Sequence, residues 1–133
     1  MGAIITVIRS SDGFIFGGFA DKPWTSANKW CESDKSFLFS LKSPSNEVGT
    51  AKMRIMQNMC SYAMLHHSSL GPIFGGVPFG GGRDFCIYSD ANNNSNSSSN
   101  LGHTYEIPPG QTNIFLVGSK NFKVSEIEVF QII

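Results

Sequence analysis

The chain has 133 residues, and its ten basic and ten acidic side chains cancel to a formal net charge of zero. This length predicts a single domain over residues 1–133. Basic residues are scattered, so the sequence gives no electrostatic basis for binding nucleic acid. No apolar stretch approaches the roughly 20 residues of a membrane helix, so we expect a soluble, cytoplasmic protein without membrane insertion.

The first elements in chain order are predicted to form a β-hairpin. Residues 3–9 are rich in β-branched side chains, and residues 14–19 form a second β-rich run. A Ser-Ser-Asp-Gly segment at 10–13 separates them and is typical of a tight turn. The glycine pair at 17–18 indicates either a β-bulge or a close approach of the backbone to a neighbour.

A further strand is predicted over residues 37–42. Phe37, Phe39 and Leu41 share one face of that strand and Ser40 and Lys42 the other, although Leu38 breaks the pattern. We expect this face to be buried.

Residues 49–67 allow two interpretations. Met53, Met56, Cys60 and Met64 have the spacing of the apolar stripe of a helix. The same segment can be divided into two strands at 52–56 and 61–67, and the local pattern does not decide between them.

The second half of the chain is predicted to contain loops and short strands. A glycine-rich loop at 68–82 lacks the spacing of phosphate-binding motifs and precedes a strand-like segment at 84–89. An Asn- and Ser-rich segment at 91–101 is expected to form a flexible loop. Three apolar runs are predicted as strands, at 103–107, 113–118 and 125–132. About nine short strands and no long helix predict a mainly β fold, an antiparallel two-sheet β-sandwich with few short helices.

Several residue sets offer candidate chemistry. Glu126 and Glu128 lie two residues apart on one strand and therefore share a face, as acid/base carboxylates of a hydrolase-like enzyme would. A cysteine–histidine pair is a second catalytic alternative, and stacking aromatic residues would instead suit a glycan- or ligand-binding sandwich. No spacing indicates a metal or cofactor site. The residues concerned are Cys31, Cys60, Cys86, His66 and His67 for the catalytic pair, and Trp24, Trp30 and Tyr62 for stacking.

Three ordered motifs carry a resemblance to a known family. They are a hairpin motif DGFIFGGFADKPW at 12–24, a loop motif GPIFGG at 71–76 followed by RDFCIYSD, and a closing strand SEIEVFQI at 125–132. Together with SFLFSL and HTYEIPPG, they resemble the TLDc domain in the form found in protists and plants. The resemblance favours strands over residues 49–67.

The resemblance implies a β-sandwich and a non-catalytic protein-interaction module without a cofactor. It also implies a link to oxidative-stress resistance and, as in several members, binding to the vacuolar proton-pumping ATPase. Relative to the family pattern, the chain is expected to lack an N-terminal helical section, and Val77-Pro78-Phe79 interrupt the glycine run. The positions that match family motifs, as fold-defining or partner-binding residues, are Gly17, Gly18, Phe19, Pro23, Trp24, Gly71, Pro72, Phe74, Gly75, Gly76, Asp84, Tyr105, Glu126, Glu128, Val129 and Phe130.

Overall fold

A computed structural model describes residues 3–21, 29–45, 49–56, 59–66, 72–76 and 83–132 of the chain. These residues form eleven strands in two antiparallel sheets, with a short 3-10 turn at Cys60–Tyr62. The predicted mainly β, two-sheet fold is therefore confirmed. Within the described ranges, no helix has the length and apolar character needed to cross a membrane.

The first sheet has five strands in the order β11-β1-β2-β4-β5. Its central hairpin, β1 with β2, confirms the hairpin predicted at the start of the chain. The last long strand returns to pair with the first strand and forms one outer edge of the sheet. The strands are β1 (Ile4–Ser10), β2 (Ile15–Ala20), β4 (Phe37–Lys42), β5 (Ala51–Arg54) and β11 (Val124–Gln131).

The second sheet has six shorter strands in the order β10-β9-β8-β7-β6-β3. All six contain only two or three residues, so each depends on its neighbours for its extended conformation. They are β3 (Lys29–Cys31), β6 (Met64–His66), β7 (Ile73–Phe74), β8 (Phe85–Cys86), β9 (Ser97–Ser99) and β10 (Asn121–Phe122).

Aromatic rings from both sheets form the core. Phe16 of β2 meets Phe85 and Phe122 of the second sheet edge to face, each with ring centroids 5.5 Å apart. Phe74 continues the cluster, 4.9 Å from Phe85 and 6.3 Å from Tyr105. All five side chains are buried, so their apolar surface contributes to holding the sheets together.

The glycine pair of β2 provides space for a ring on each face of the strand. A Cβ atom at Gly17 would collide with the carbonyl oxygen of Thr6 and would lie 2.8 Å from the Phe39 ring. A Cβ atom at Gly18 would lie 2.6 Å from the Phe74 ring on the other side. The predicted close approach is confirmed, whereas the register shift between β2 and β4 lies at Ile15–Phe16.

The predicted buried face of β4 is wrong. Leu38 and Ser40 are buried, whereas Phe37 and Phe39 are half-buried and Leu41 is exposed. The aromatic residues instead form an outer cluster, in which Phe37 stacks on Phe19 with centroids 5.1 Å apart. Side-chain alternation correctly separated the two faces of the strand. The wrong face was predicted to be buried because the aromatic residues lie on the outer face.

The described part of residues 49–67 forms two strands and a short 3-10 turn instead of a long helix. Ala51–Arg54 form β5, Cys60–Tyr62 make the 3-10 turn, and Met64–His66 form β6. The predicted strand at 103–107 is reduced to a single bridge between Tyr105 and Ile55.

The strand predicted at 113–118 is wrong. These residues form successive turns, in which Phe115 donates its N–H to the carbonyl of Thr112 and Gly118 donates to Ile114 at 2.7 Å. Phe115, Leu116 and Val117 are nevertheless buried. The apolar run therefore correctly indicated burial, but the backbone satisfies its hydrogen bonds locally.

The loop predicted at 91–101 is wrong over Ser97–Ser99, which form β9. This strand pairs with β8 on one side and with β10 on the other. Ser97 and Ser99 are buried, and the Ser97 hydroxyl accepts the Tyr88 N–H at 3.1 Å. Backbone hydrogen bonds to β8 and β10 stabilise this strand, although its sequence has no apolar side chains to bury.

Candidate functional site

A buried carboxylate lies at the centre of the family-motif residues. Asp84 precedes β8, and its side chain is fully buried. Its Oδ1 accepts the Thr104 N–H at 3.0 Å, and its Oδ2 accepts the N–H groups of Tyr105 at 2.9 Å and Gly102 at 3.2 Å. Both carboxylate oxygens are therefore occupied by backbone donors.

The glycine turn after β7 packs directly on this carboxylate. Gly75 has a φ of +80°, and a Cβ there would collide with the Asp84 carboxylate. Gly76 donates its N–H to Thr104 Oγ1 and accepts the Thr104 hydroxyl, both at 2.9 Å. The Tyr105 hydroxyl donates to the Ala63 carbonyl at 2.9 Å. We refer to Gly75, Gly76, Asp84, Thr104 and Tyr105 as the Asp84 cluster.

Burial determines the protonation behaviour of this cluster. Desolvation raises the pKa of Asp84 to about 7, while the backbone donors at Tyr105, Thr104 and Gly102 act in the opposite direction. Burial also raises the pKa of Tyr105 well above its usual range, so its hydroxyl remains a proton donor to Ala63. The cluster is therefore sensitive to pH through one group, Asp84.

The raised pKa of Asp84 predicts that the protein loses stability as the pH rises from about 4 to about 7. In this window the folded state binds the Asp84 proton and the unfolded state does not, so the free energy of unfolding falls with pH. The pKa rises from 3.8 to about 7, which corresponds to a loss on the order of 4 kcal/mol. Urea unfolding at a series of pH values measures the loss, and carboxyl NMR titration locates the midpoint. Stability that increases over this window would mean that the backbone donors outweigh desolvation.

The predicted carboxylate pair lies elsewhere in the fold. Glu126 and Glu128 face the same side of β11, opposite Arg9 and Val7 of β1. Both are exposed, and Glu126 forms an ion pair with Arg9 at 3.6 Å. This pair therefore lies on an outer strand and does not contribute to the Asp84 cluster.

Only part of the predicted cysteine–histidine and aromatic sets lies within the described residues. Cys86 is buried, and burial raises the pKa of its thiol. Cys31 and Cys60 are half-buried. Trp30 packs edge to face on Tyr62 with centroids 5.5 Å apart. Among the described residues, no group of three or more His, Cys, Asp or Glu side chains is placed to hold a metal ion. Trp24 and His67 lie outside the described residues, as does the side chain of His66.

Most of the described motif positions have structural roles. Phe74, Gly75, Gly76, Asp84 and Tyr105 meet in or beside the Asp84 cluster, while Gly17, Gly18 and Phe19 lie in β2. Pro72 accepts the Ile87 N–H through its carbonyl at 3.0 Å. Val129 and Phe130 lie on β11 and are exposed. The motif positions outside the described residues are Pro23, Trp24 and Gly71.

Sequence reasoning did not identify Thr104 as part of the cluster. Thr104 uses its N–H for Asp84 and its hydroxyl for both backbone groups of Gly76. The available signal was its position beside Tyr105, a residue that the motifs did identify.

The fold and the Asp84 cluster together define the class of protein. It is an antiparallel β-sandwich in which a glycine turn is held against a buried carboxylate by bonds from a distant segment. The sequence model of the TLDc domain matches residues 1–133, the whole chain. The chain therefore belongs to the TLDc domain family. No curated protein sequence matches it.

Proposed function

We propose that this chain is a non-catalytic protein-interaction module that binds the vacuolar proton-pumping ATPase and supports resistance to oxidative stress. Its membership of the TLDc domain family supports the class of function. The observation that carries the proposal is an exposed apolar surface on β11. Ile127, Val129 and Phe130 have exposed fractions of 40%, 58% and 50%, and Ile132 beyond the strand has 43%. Ile127 and Val129 share one face of the strand and Phe130 lies on the other, so both faces of β11 present exposed apolar side chains, which are typical of interaction surfaces.

The bonding of Asp84 supports a structural role for this residue. Asp84 has the raised pKa that often accompanies catalysis, but both of its oxygens accept backbone N–H groups. A group bonded in this way stabilises the fold and presents no oxygen to a substrate. We place the cytoplasm as the compartment, where the pump's peripheral subunits are accessible.

The test of the proposal is direct binding to the purified proton pump. We expect the chain to be retained by the pump in a pull-down, and Val129→Ser to weaken this binding by about tenfold, or about 1.4 kcal/mol. Leu41→Ser is the matched control, because Leu41 is 51% exposed but lies on β4, which is separated from β11 by two strands. Absence of binding to the pump by the unmodified chain would contradict the proposal.

The oxidative-stress component needs a separate measurement in cells. We expect expression of the chain to raise survival in hydrogen peroxide in cells that lack their own TLDc proteins. Val129→Ser should remove this protection and Leu41→Ser should retain it, since the protection is proposed to act through the partner. If both variants protect the cells equally, the protection does not depend on the β11 surface.

The hydrolase-like alternative has one favourable observation, the shared face of Glu126 and Glu128. It predicts turnover of a substrate that is lost in Glu126→Gln. An activity screen in which Glu126→Gln and the unmodified chain behave identically would remove this alternative.

A further inference from the structure

Strand β11 forms an outer edge of the five-stranded sheet at which another strand could still pair. Strand β11 lies at the end of the five-stranded sheet and has eight residues, of which only Val124 is buried. Among the described strands it pairs only with β1. Val124 donates its N–H to the Ala91 carbonyl at 3.2 Å, so the open part of the edge begins after Val124. A long edge strand with exposed apolar side chains is a ready acceptor for another strand.

The backbone of this edge has a defined hydrogen-bonding pattern. Ile132 donates its N–H to the Ala3 carbonyl at 2.8 Å, in register with the pairs that link β11 to β1. Antiparallel residues direct their backbone groups alternately to one neighbour and to the other. Phe130 and Glu128 therefore bond to β1, whereas Val129 and Ile127 direct their N–H and C=O groups toward the open edge.

Over residues 126–129 the side chains alternate between acidic and apolar, and Phe130 then follows on the acidic face. Glu126 and Glu128 lie on the outer face of the sheet, and Ile127 and Val129 lie on the face that turns toward the second sheet. Glu126 is paired with Arg9, whereas Glu128 has no ion-pair partner among the described residues. Opposite charges directly across a strand pair are favourable, and like charges are unfavourable.

This pattern disfavours a second copy of the chain as the partner. Antiparallel pairing of two β11 strands in one continuous sheet has its greatest overlap when centred on Ile127 or Glu128. The first register places Glu126 opposite the second copy's Glu128, and the other places the two Glu128 side chains opposite each other. Each register therefore opposes like charges.

We propose that the open edge of β11 accepts an extended segment of a partner protein, in which lysine or arginine alternates with branched apolar residues. The added strand bonds to the free backbone groups of Ile127 and Val129. Its basic side chains face Glu126 and Glu128, and its apolar side chains cover Ile127 and Val129. This is strand addition at a sheet edge, where backbone bonds give affinity and alternate side chains give specificity. The inference rests on the proposed interaction function and adds the surface and the chemistry of the partner segment.

The probe is a fluorescent peptide of alternating lysine and valine, matched in length to the eight residues of β11. A peptide of alternating glutamate and valine is its control. We expect the lysine peptide to bind at least tenfold more tightly by fluorescence anisotropy and to weaken with added salt. Binding should also slow hydrogen exchange at the Ile127 and Val129 amides. Equal affinity for the two peptides, or no added protection at those amides, would overturn the proposal.

Two variants test the backbone and the charge independently. Val129→Pro removes an outward N–H and leaves the bonds to β1 in place, so it should lower the affinity for the lysine peptide at least tenfold. Glu128→Lys should shift the preference toward the glutamate peptide. Glu106→Lys is the matched control, because Glu106 is exposed and its N–H bonds to Arg54 of β5, at the far edge of the same sheet.

The outcomes separate this inference from the pump proposal. If Val129→Pro unfolds, the charge exchange in Glu128→Lys still decides the result. An unchanged preference in Glu128→Lys would overturn the edge proposal, as would a dimer in sedimentation that Val129→Pro abolishes. Binding of the lysine peptide without binding of the pump would support the edge proposal and contradict the pump as partner.

Discussion

Replacement of Asp84 by asparagine is expected to lower the free energy of unfolding by about 3 kcal/mol. The two carboxylate oxygens accept three backbone N–H groups, two of them at Oδ2. An asparagine side chain has one acceptor oxygen and an NH₂ group that only donates. If the oxygen keeps the Thr104 bond, the NH₂ group faces the N–H groups of Gly102 and Tyr105. Tyr105 then loses its acceptor on residue 84, and Gly102 keeps only its bond to the Tyr105 carbonyl at 3.2 Å.

Urea unfolding at about pH 5, followed by circular dichroism, measures this change, because Asp84 is protonated there and the penalty for its ionisation does not enter. Asp12→Asn is the matched control, because Asp12 is exposed in the β1–β2 turn and should lose less than about 0.5 kcal/mol. The chemical change is identical in the two variants, so the difference between them reports burial and bonding. A loss below about 1 kcal/mol in Asp84→Asn would contradict the structural role of the carboxylate.

Gly18→Ala is expected to destabilise the fold by about 3 kcal/mol through overpacking. The added methyl carbon would lie 2.6 to 2.8 Å from three atoms of the Phe74 ring. That ring is fully buried and is held by Phe85 and Tyr105, so it has little freedom to move away. Thermal and urea unfolding both measure the effect.

A second substitution makes the test specific to this contact. Phe74→Leu removes the ring, so Gly18→Ala should cost less in that background, with a coupling energy of at least about 1 kcal/mol. Gly49→Ala is the control, because a Cβ there has no neighbour within 4 Å. Additive effects of Gly18→Ala and Phe74→Leu would show that the glycine is needed for another reason.

The strands that could be predicted are those whose sequences are long enough to show a clear β pattern or that end in a recognisable turn. Strands β1, β2 and β11 are six to eight residues long, and the first two are joined by an Asp-Gly turn. Strands β7 and β10 contain only two residues each, so their sequences carry no periodicity to detect. Their extended conformation comes from pairing with neighbouring strands in the sheet.

The sequence motifs identified several members of the Asp84 cluster, but they did not predict the hydrogen bonds that connect these residues. Motifs identified Asp84 and Tyr105, yet the backbone donors to the carboxylate lie 18 to 21 residues further along the chain. Donors of this kind have no side-chain signature, since any residue except proline can supply a backbone N–H. The buried face of β4 was also beyond local reasoning, because Phe39 covers Gly17 on the outer side of the sheet.

The Asp84 cluster also ties together the two described ends of the glycine-rich segment. Gly76 on one end and Asp84 on the other both bond to Thr104, which lies 28 and 20 residues away along the chain. Strands β7 and β8 also pair directly, through Ile73 with Cys86 and Phe74 with Phe85. A change at Thr104 would therefore release both ends of this connection at once, although Thr104 belongs to neither strand.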